Sequence, residues 1–307
     1  MIGINRFIAW SLPALPKSWV GVVARHYIAG ETLDAAVDTA SRLNRSGCGV
    51  TLDLLGEAPE TREDCRRAVA VYEQALARIG ADALDAGISI KPSQMGYHLD
   101  PAFCRENIRH LVERAARQGS FVRLDMEDSD FVDPTLEIFN ALRAEKFENV
   151  GVVLQAYLRR AMADVESLGA NRSNVRLCKG AYYWEPRSRV YKDPAIINTS
   201  YTHLLEQLFL SGCFTGIATH DEKLVFEALR LIQTLDIPAS QYEFQMLYGV
   251  EEELRQILVD QGHRVRVYVP FGKDWFAYSV RRLRENPRMV GYVFTHAGEI
   301  LRSRRKS

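Results

Sequence analysis

The sequence predicts an α/β chain whose strands close into a (β/α)8 TIM-like barrel. Eight short apolar segments alternate with longer segments whose apolar residues recur at helical spacing, the pattern of a parallel sheet with helices between its strands. Eight such units fill about 250 residues, which suits a closed barrel better than an open doubly wound sheet. No Gly-x-Gly-x-x-Gly turn follows the first strand, where a dinucleotide-binding doubly wound fold carries one.

Taken in order, residues 17–44 carry a helical pattern and belong to an expected helical appendage over 1–45. Strand 49–55 runs into Gly56-Glu57 and is followed by helix 61–79. Strand 86–91 leads to helix 101–117, and strand 120–125 leads to helix 134–144. Asp100-Pro101 and Asp133-Pro134 predict the starts of these helices, because a carboxylate accepts from unpaired N–H groups and proline has no N–H to leave unpaired. No helix is singled out between strands 150–155 and 174–179. Helix 198–210, strand 215–220, helix 221–235, strand 241–247, helix 251–261 and strand 264–269 complete the alternation. No linker rich in Pro, Gly or Ser divides 46–300, so one barrel domain is expected there, followed by a disordered basic tail over 301–307.

Bulk properties narrow the function classes. Lys and Arg together number 39, as do Asp and Glu, so no global field favours nucleic acid. No run of about 18 apolar residues could span a bilayer, and the apolar stretch near the start is short and without a secretory cleavage site. Cys48, Cys65, Cys104, Cys178 and Cys213 lack Cys-x-x-Cys spacing and read as reduced thiols of a cytoplasmic protein.

In such a barrel the reactive side chains sit where strands end and loops begin. Polar residues recur at those places: Lys91, Asp125, Gln155, Arg176 with Lys179-Gly180-Ala181, Thr219-His220, Glu243 and Gln245, and Tyr268. Each has a plainer reading. Lys91 could be a surface lysine, and His220 a satisfied loop histidine. Gln155 could bond a neighbouring strand or be met by a cofactor heterocycle. The run Asp125-Met-Glu-Asp-Ser-Asp130 could be a solvated loop or a hard-cation site, although it lacks the glycine and distal glutamate of a calcium loop. No histidine pair lies at zinc-ligand spacing. After the last strand, Tyr278, Arg281 or Arg282, and Glu285 share one helical face. That stripe is either a salt-bridged surface or a lid over the barrel mouth whose paired guanidiniums suit a carboxylate.

Together these residues resemble the proline dehydrogenase family, in its monofunctional bacterial branch. The resemblance rests on Gly87-Ile-Ser-Ile-Lys-Pro92, Val122-Arg-Leu-Asp-Met-Glu-Asp128, Val152-Val-Leu-Gln-Ala-Tyr157, Val175-Arg-Leu-Cys-Lys-Gly-Ala-Tyr182, Ala218-Thr-His220, Tyr242-Glu-Phe-Gln-Met-Leu-Tyr-Gly249 and Tyr268-Val-Pro-Phe-Gly272, in this order. It implies a distorted barrel with its last helix above the strands, non-covalent FAD, and oxidation of L-proline to 1-pyrroline-5-carboxylate by hydride transfer. Met126, Gln155, Arg176, Lys179, Gly180, Ala181, Thr219 and His220 match the family's flavin contacts. Lys91, Asp125, Leu247, Tyr268, Tyr278, Arg281 and Arg282 match its proline pocket, and Glu57 the acid that pairs with the first arginine on closure. Asp125 is read as the partner of Lys91, and Arg176 as a donor near the flavin.

The resemblance further implies a membrane quinone as electron acceptor, peripheral contact with the inner face of the cell membrane, and a separate pyrroline-5-carboxylate dehydrogenase downstream; the stretch with Trp10, Trp19 and Val20 is either the surface for that contact or a helix packed on the barrel. Two features depart from the family pattern: Tyr182-Tyr-Trp184 is one residue longer, and Cys178 stands at an aliphatic position. Two rival functions are a Schiff-base aldolase using Lys91 or Lys179 and a barrel that only binds a metabolite.

Overall fold

The computed structural model describes residues 26–56, 59–182, 184–276 and 278–280. Its eight parallel strands close into a barrel in sequence order. The strands are β1 (Cys48–Leu54), β2 (Ala86–Ile90), β3 (Val122–Leu124), β4 (Val150–Gln155), β5 (Asn174–Cys178), β6 (Phe214–Ala218), β7 (Tyr242–Leu247) and β8 (Val265–Phe271). β8 returns to pair with β1, from Cys48 opposite Val265 to Leu54 opposite Phe271, and leaves no open edge.

The helices are α1 (Leu33–Arg45), α2 (Arg62–Ala81), α3 (Pro101–Arg117), α4 (Val132–Ala144), α5 (Ala161–Gly169), α6 (Pro194–Leu210), α7 (Glu222–Thr234) and α8 (Glu252–Asp260). Thr61 and Asp64 form a reciprocal capping box on α2, and Asp100 accepts from Ala102 N and Phe103 N at the start of α3. Asp193 does the same for α6, ahead of Pro194.

The expected cap at Asp133 is not formed. A 3-10 turn, Ser129–Phe131, runs directly into α4, so the helix begins at Val132 and Asp133 lies inside its first turn. Pro134 is tolerated there because first-turn N–H groups have no helical partner. Helix α5, not singled out in the sequence, has nine residues and no side-chain cap. Of the helical stretch expected over 17–44, residues 26–32 are not helical, 33–45 form α1, and those before 26 lie outside the described residues.

Alternation along each strand separates two environments. Val50, Leu52, Ile88, Ile90, Val122 and Leu124 are fully buried and belong to the apolar core, which packs between sheet and helices. Residues of the other parity fill the barrel, and many are polar. Arg123 Nη1 donates to the carbonyls of Val152 and Asn174, each at 2.9 Å. Gly151 makes room for it: a Cβ there would overlap the guanidinium and come within 2.7 Å of the Asn174 carbonyl oxygen.

Candidate active site

At the C-terminal ends of the strands, side chains on or just after β1, β2, β3, β5, β7 and β8 form one bonded floor. Lys91, just after β2, places Nζ against Asp53 of β1 and 3.8 Å from Asp125 Oδ2. Asp125, just after β3, accepts from Arg176 Nη1 and from Tyr268 OH, both at 2.7 Å. The Arg176 guanidinium also lies 5.2 Å from the Tyr268 ring centroid, and its Nε donates to Gln245. Asp125 is therefore bonded to Arg176 first and only more distantly to Lys91, whose near partner is Asp53.

The charges of this floor are set by burial against pairing. Burial pushes the Asp53 carboxyl above its ordinary range, despite the Lys91 cation beside it. For Lys91, burial favours the neutral amine, but Asp53 and Asp125 prevail and raise the ammonium pKa. Burial also works against the Asp125 anion, yet Arg176 and Lys91 hold its pKa below the usual value. The Tyr268 phenol is driven far up by burial and then by Asp125, so it remains a donor.

A second set lies along the neighbouring strand ends. Gln155 closes β4 and donates from Nε2 to the Glu127 carbonyl at 3.2 Å, while its buried Oε1 has no partner among the described residues. Met126 is buried at the end of β3. Lys179 pairs with Asp221 at 2.7 Å, and Thr219 Oγ1 accepts from Asp221 N at 3.1 Å. His220 Nε2 accepts from Leu247 N at 2.8 Å, which puts the ring proton on Nδ1. Gly180 and Ala181 follow β5, half-buried.

The acidic run is divided among separate tasks. Glu127 accepts from the Ser93 amide at 2.9 Å and from its hydroxyl, Asp128 accepts from Asp130 N at 3.1 Å, and Asp130 pairs with Arg189. Among the described residues no group of three or more His, Cys, Asp or Glu is placed to hold a metal ion. Tyr278 is buried in a helical segment after β8, its ring centroid 6.4 Å from that of Tyr27 and its phenol near enough to act on Tyr268. Glu57, Arg281 and Arg282 lie outside the described residues.

Glu243 does not reach the mouth. It stands two residues before Gln245, about 7 Å deeper along the strand, and its Oε1 accepts from Arg266 Nε at 2.9 Å inside the barrel. Asp53 is the residue that sequence reasoning passed over. Its signal was present: a carboxylate inside a mostly apolar strand must have a buried partner.

The proline dehydrogenase family matches residues 36–293, a span that includes every strand of the barrel and the stripe after β8. The chain belongs to the proline dehydrogenase family. The proline dehydrogenase of Deinococcus radiodurans is 38% identical over 284 residues, 91% of each chain. Proline dehydrogenase 1 of Bacillus subtilis subsp. natto is 37% identical over 270 residues, 88% of this chain and 89% of that one. Among solved structures, proline utilization A from Bdellovibrio bacteriovorus, inactivated by N-propargylglycine, matches 86% of this chain with a TM-score of 0.81 and 27% identity. This chain spans 33% of that longer protein. The family span begins within α1, whose buried Ala36, Ala40 and Leu43 pack into the same core as the strands.

Proposed function

We propose that this chain oxidises L-proline to 1-pyrroline-5-carboxylate, the first step of proline catabolism, with FAD as its resident cofactor. The observation that carries the cofactor is Gln155 Oε1, a buried amide oxygen without a partner among the described residues, beside a charged floor that ends in a guanidinium. An unpaired buried acceptor costs about 1–3 kcal/mol, and an N–H of a flat heterocycle such as flavin satisfies it. Met126, Arg176, Lys179, Gly180, Ala181, Thr219 and His220 stand on or just after β3, β5 and β6 and are assigned to FAD with it. When bound, FAD supplies a hydride acceptor and a route for electrons to a membrane quinone.

The substrate end is assigned to Lys91, Arg281 and Arg282, which neutralise and orient the proline carboxylate. Asp53 and Asp125 keep Lys91 charged for this task. Arg176, held by Asp125, stabilises negative charge arriving on the cofactor ring, and these two are the residues assigned to catalysis. Leu247, Tyr268 and Tyr278 exclude water, and Glu57 pairs with Arg281 when the site closes. The product passes to a separate pyrroline-5-carboxylate dehydrogenase. A membrane quinone as acceptor accords with a cytoplasmic protein in peripheral contact with the inner face of the cell membrane; Trp10, Trp19 and Val20, the candidates for that contact, lie outside the described residues. Among the described residues no helix is long and apolar enough to cross a membrane.

A Schiff-base aldolase needs a lysine whose pKa is lowered so that the amine is neutral. Lys91 is shifted the other way by its two carboxylates, and Lys179 is tied to Asp221. The test is an absorption spectrum of the purified protein followed by anaerobic L-proline. A flavin spectrum that bleaches is expected. A colourless protein, or a yellow one that proline leaves oxidised, would overturn the proposal.

A further inference from the structure

A line of bonded side chains leaves the candidate site and continues down the barrel. Arg176 Nε donates to Gln245 Oε1, and Gln245 Nε2 donates to Glu243 Oε1 at 2.7 Å. The same Glu243 oxygen accepts from Arg266 Nε at 2.9 Å, and Arg266 Nη2 lies 3.2 Å from the exposed carboxylate of Asp85, just before β2. Gln245 and Glu243 are only 5% and 4% exposed, so water does not compete for these bonds. A cation on one side and an anion on the other define the amide: its oxygen faces the guanidinium and its NH2 faces the carboxylate. A flipped amide would set donor against donor and acceptor against acceptor. Gly216 provides the space, since a Cβ there would stand 2.5 Å from Gln245 Nε2.

Resting on the proposed function, we infer that Gln245 is a positioning residue that orients Arg176 while keeping the Glu243 carboxylate one neutral amide away from it. Two clusters of opposed charges result. Toward the mouth, Lys91 and Arg176 face Asp53 and Asp125; deeper, Glu243 faces Arg266, with Arg264 3.8 Å from its other oxygen. A carboxylate at 245 would share Arg176 between two anions and weaken its hold on charge arriving at the cofactor. The amide gives Arg176 a second anchor beside Asp125 without a second neutralising charge.

The test is to exchange the pair, Gln245→Glu together with Glu243→Gln. The double variant keeps the side-chain sizes, the net charge, an acceptor for Arg176 and an N–H···O bond between the two positions. It moves only the anion, placing it against Arg176. The readouts are FAD content and the flavin reduction potential, measured anaerobically by dye equilibration. FAD content should be retained, and the reduced-to-oxidised ratio at a given dye potential should fall about tenfold, a potential lower by about 30 mV for a two-electron couple. An unchanged potential with full FAD content would overturn the inference.

Gln245→Met, which removes the anchor without adding charge, carries the orienting role should the exchanged protein fail to fold. Its flavin reduction at saturating proline should slow about tenfold, whereas its potential should shift less than that of the exchange. A wild-type rate would overturn that role. Wild-type protein that holds no FAD would instead defeat the proposed function, an outcome separate from either result with the variants.

Discussion

Replacing Asp125 by Asn separates charge from shape at the floor of the site. Asp125 and Arg176 bond at 2.7 Å with side chains only 12% and 9% exposed. Removing one partner of a buried ion pair costs about 3–5 kcal/mol, because the other charge is left without compensation. Asn keeps the volume and an acceptor for Arg176, which places the expected loss near the lower end, about 3 kcal/mol, or roughly a hundredfold in the folding equilibrium. Equilibrium unfolding in urea at pH 7 should show a lower midpoint with an unchanged slope. The pH dependence supplies a second check. Burial opposes the Asp125 anion, but Arg176 and Lys91 hold its folded pKa below the ordinary value. The stability it contributes is therefore fully present above an unfolded pKa of about 3.9 and is lost as pH falls through the lower folded value. The gap between wild type and variant should stay constant down to about pH 5 and narrow below about pH 4. A gap under about 1 kcal/mol at pH 7, or one that persists unchanged well into acid, would refute the charge argument.

Three further substitutions probe the proline pocket and the barrel interior. Changing Arg281 or Arg282 to Met should weaken proline binding about tenfold to a hundredfold, the value of a charge-assisted hydrogen bond, with FAD content retained; titration of flavin absorbance checks this, and wild-type affinity in both variants would mean the carboxylate is held elsewhere. Gly151→Ala should destabilise the fold by about 1–3 kcal/mol through overpacking against Arg123 and the Asn174 carbonyl; a thermal midpoint equal to wild type would show that the interior can yield.

The sequence by itself determined the architecture, because its signals are local. The strand face turned to the helices is apolar at every second residue whatever its neighbours are, and each expected strand has its counterpart in β1 to β8. Asp100-Pro101 marked the start of α3 for the same reason: a cap needs only the next few residues. Asp133-Pro134 misled because the turn Ser129–Phe131, two residues upstream, had already begun to wind the chain, and α5 escaped notice because it is short and lacks a side-chain cap. The height of a polar residue in the barrel was legible from its distance to a strand end, which placed Lys91, Asp125, Gln155 and Arg176 near the mouth.

Only the tertiary structure decided which of these residues hold one another. Lys91 meets Asp53 because β1 and β2 are neighbours in register, with Asp53 opposite Ser89. Asp125 meets Arg176 although β4 lies between their strands, a contact made across the barrel interior that no spacing along the chain encodes. Gln245 and Glu243 look alike in the sequence, two polar residues of one strand, yet one touches the cation of the site and the other pairs with Arg266 beneath it. The physical reason is common to all three cases. Strand periodicity states which way a side chain points and how high it sits, whereas its partner is chosen by barrel closure, which brings together residues from strands far apart in the chain.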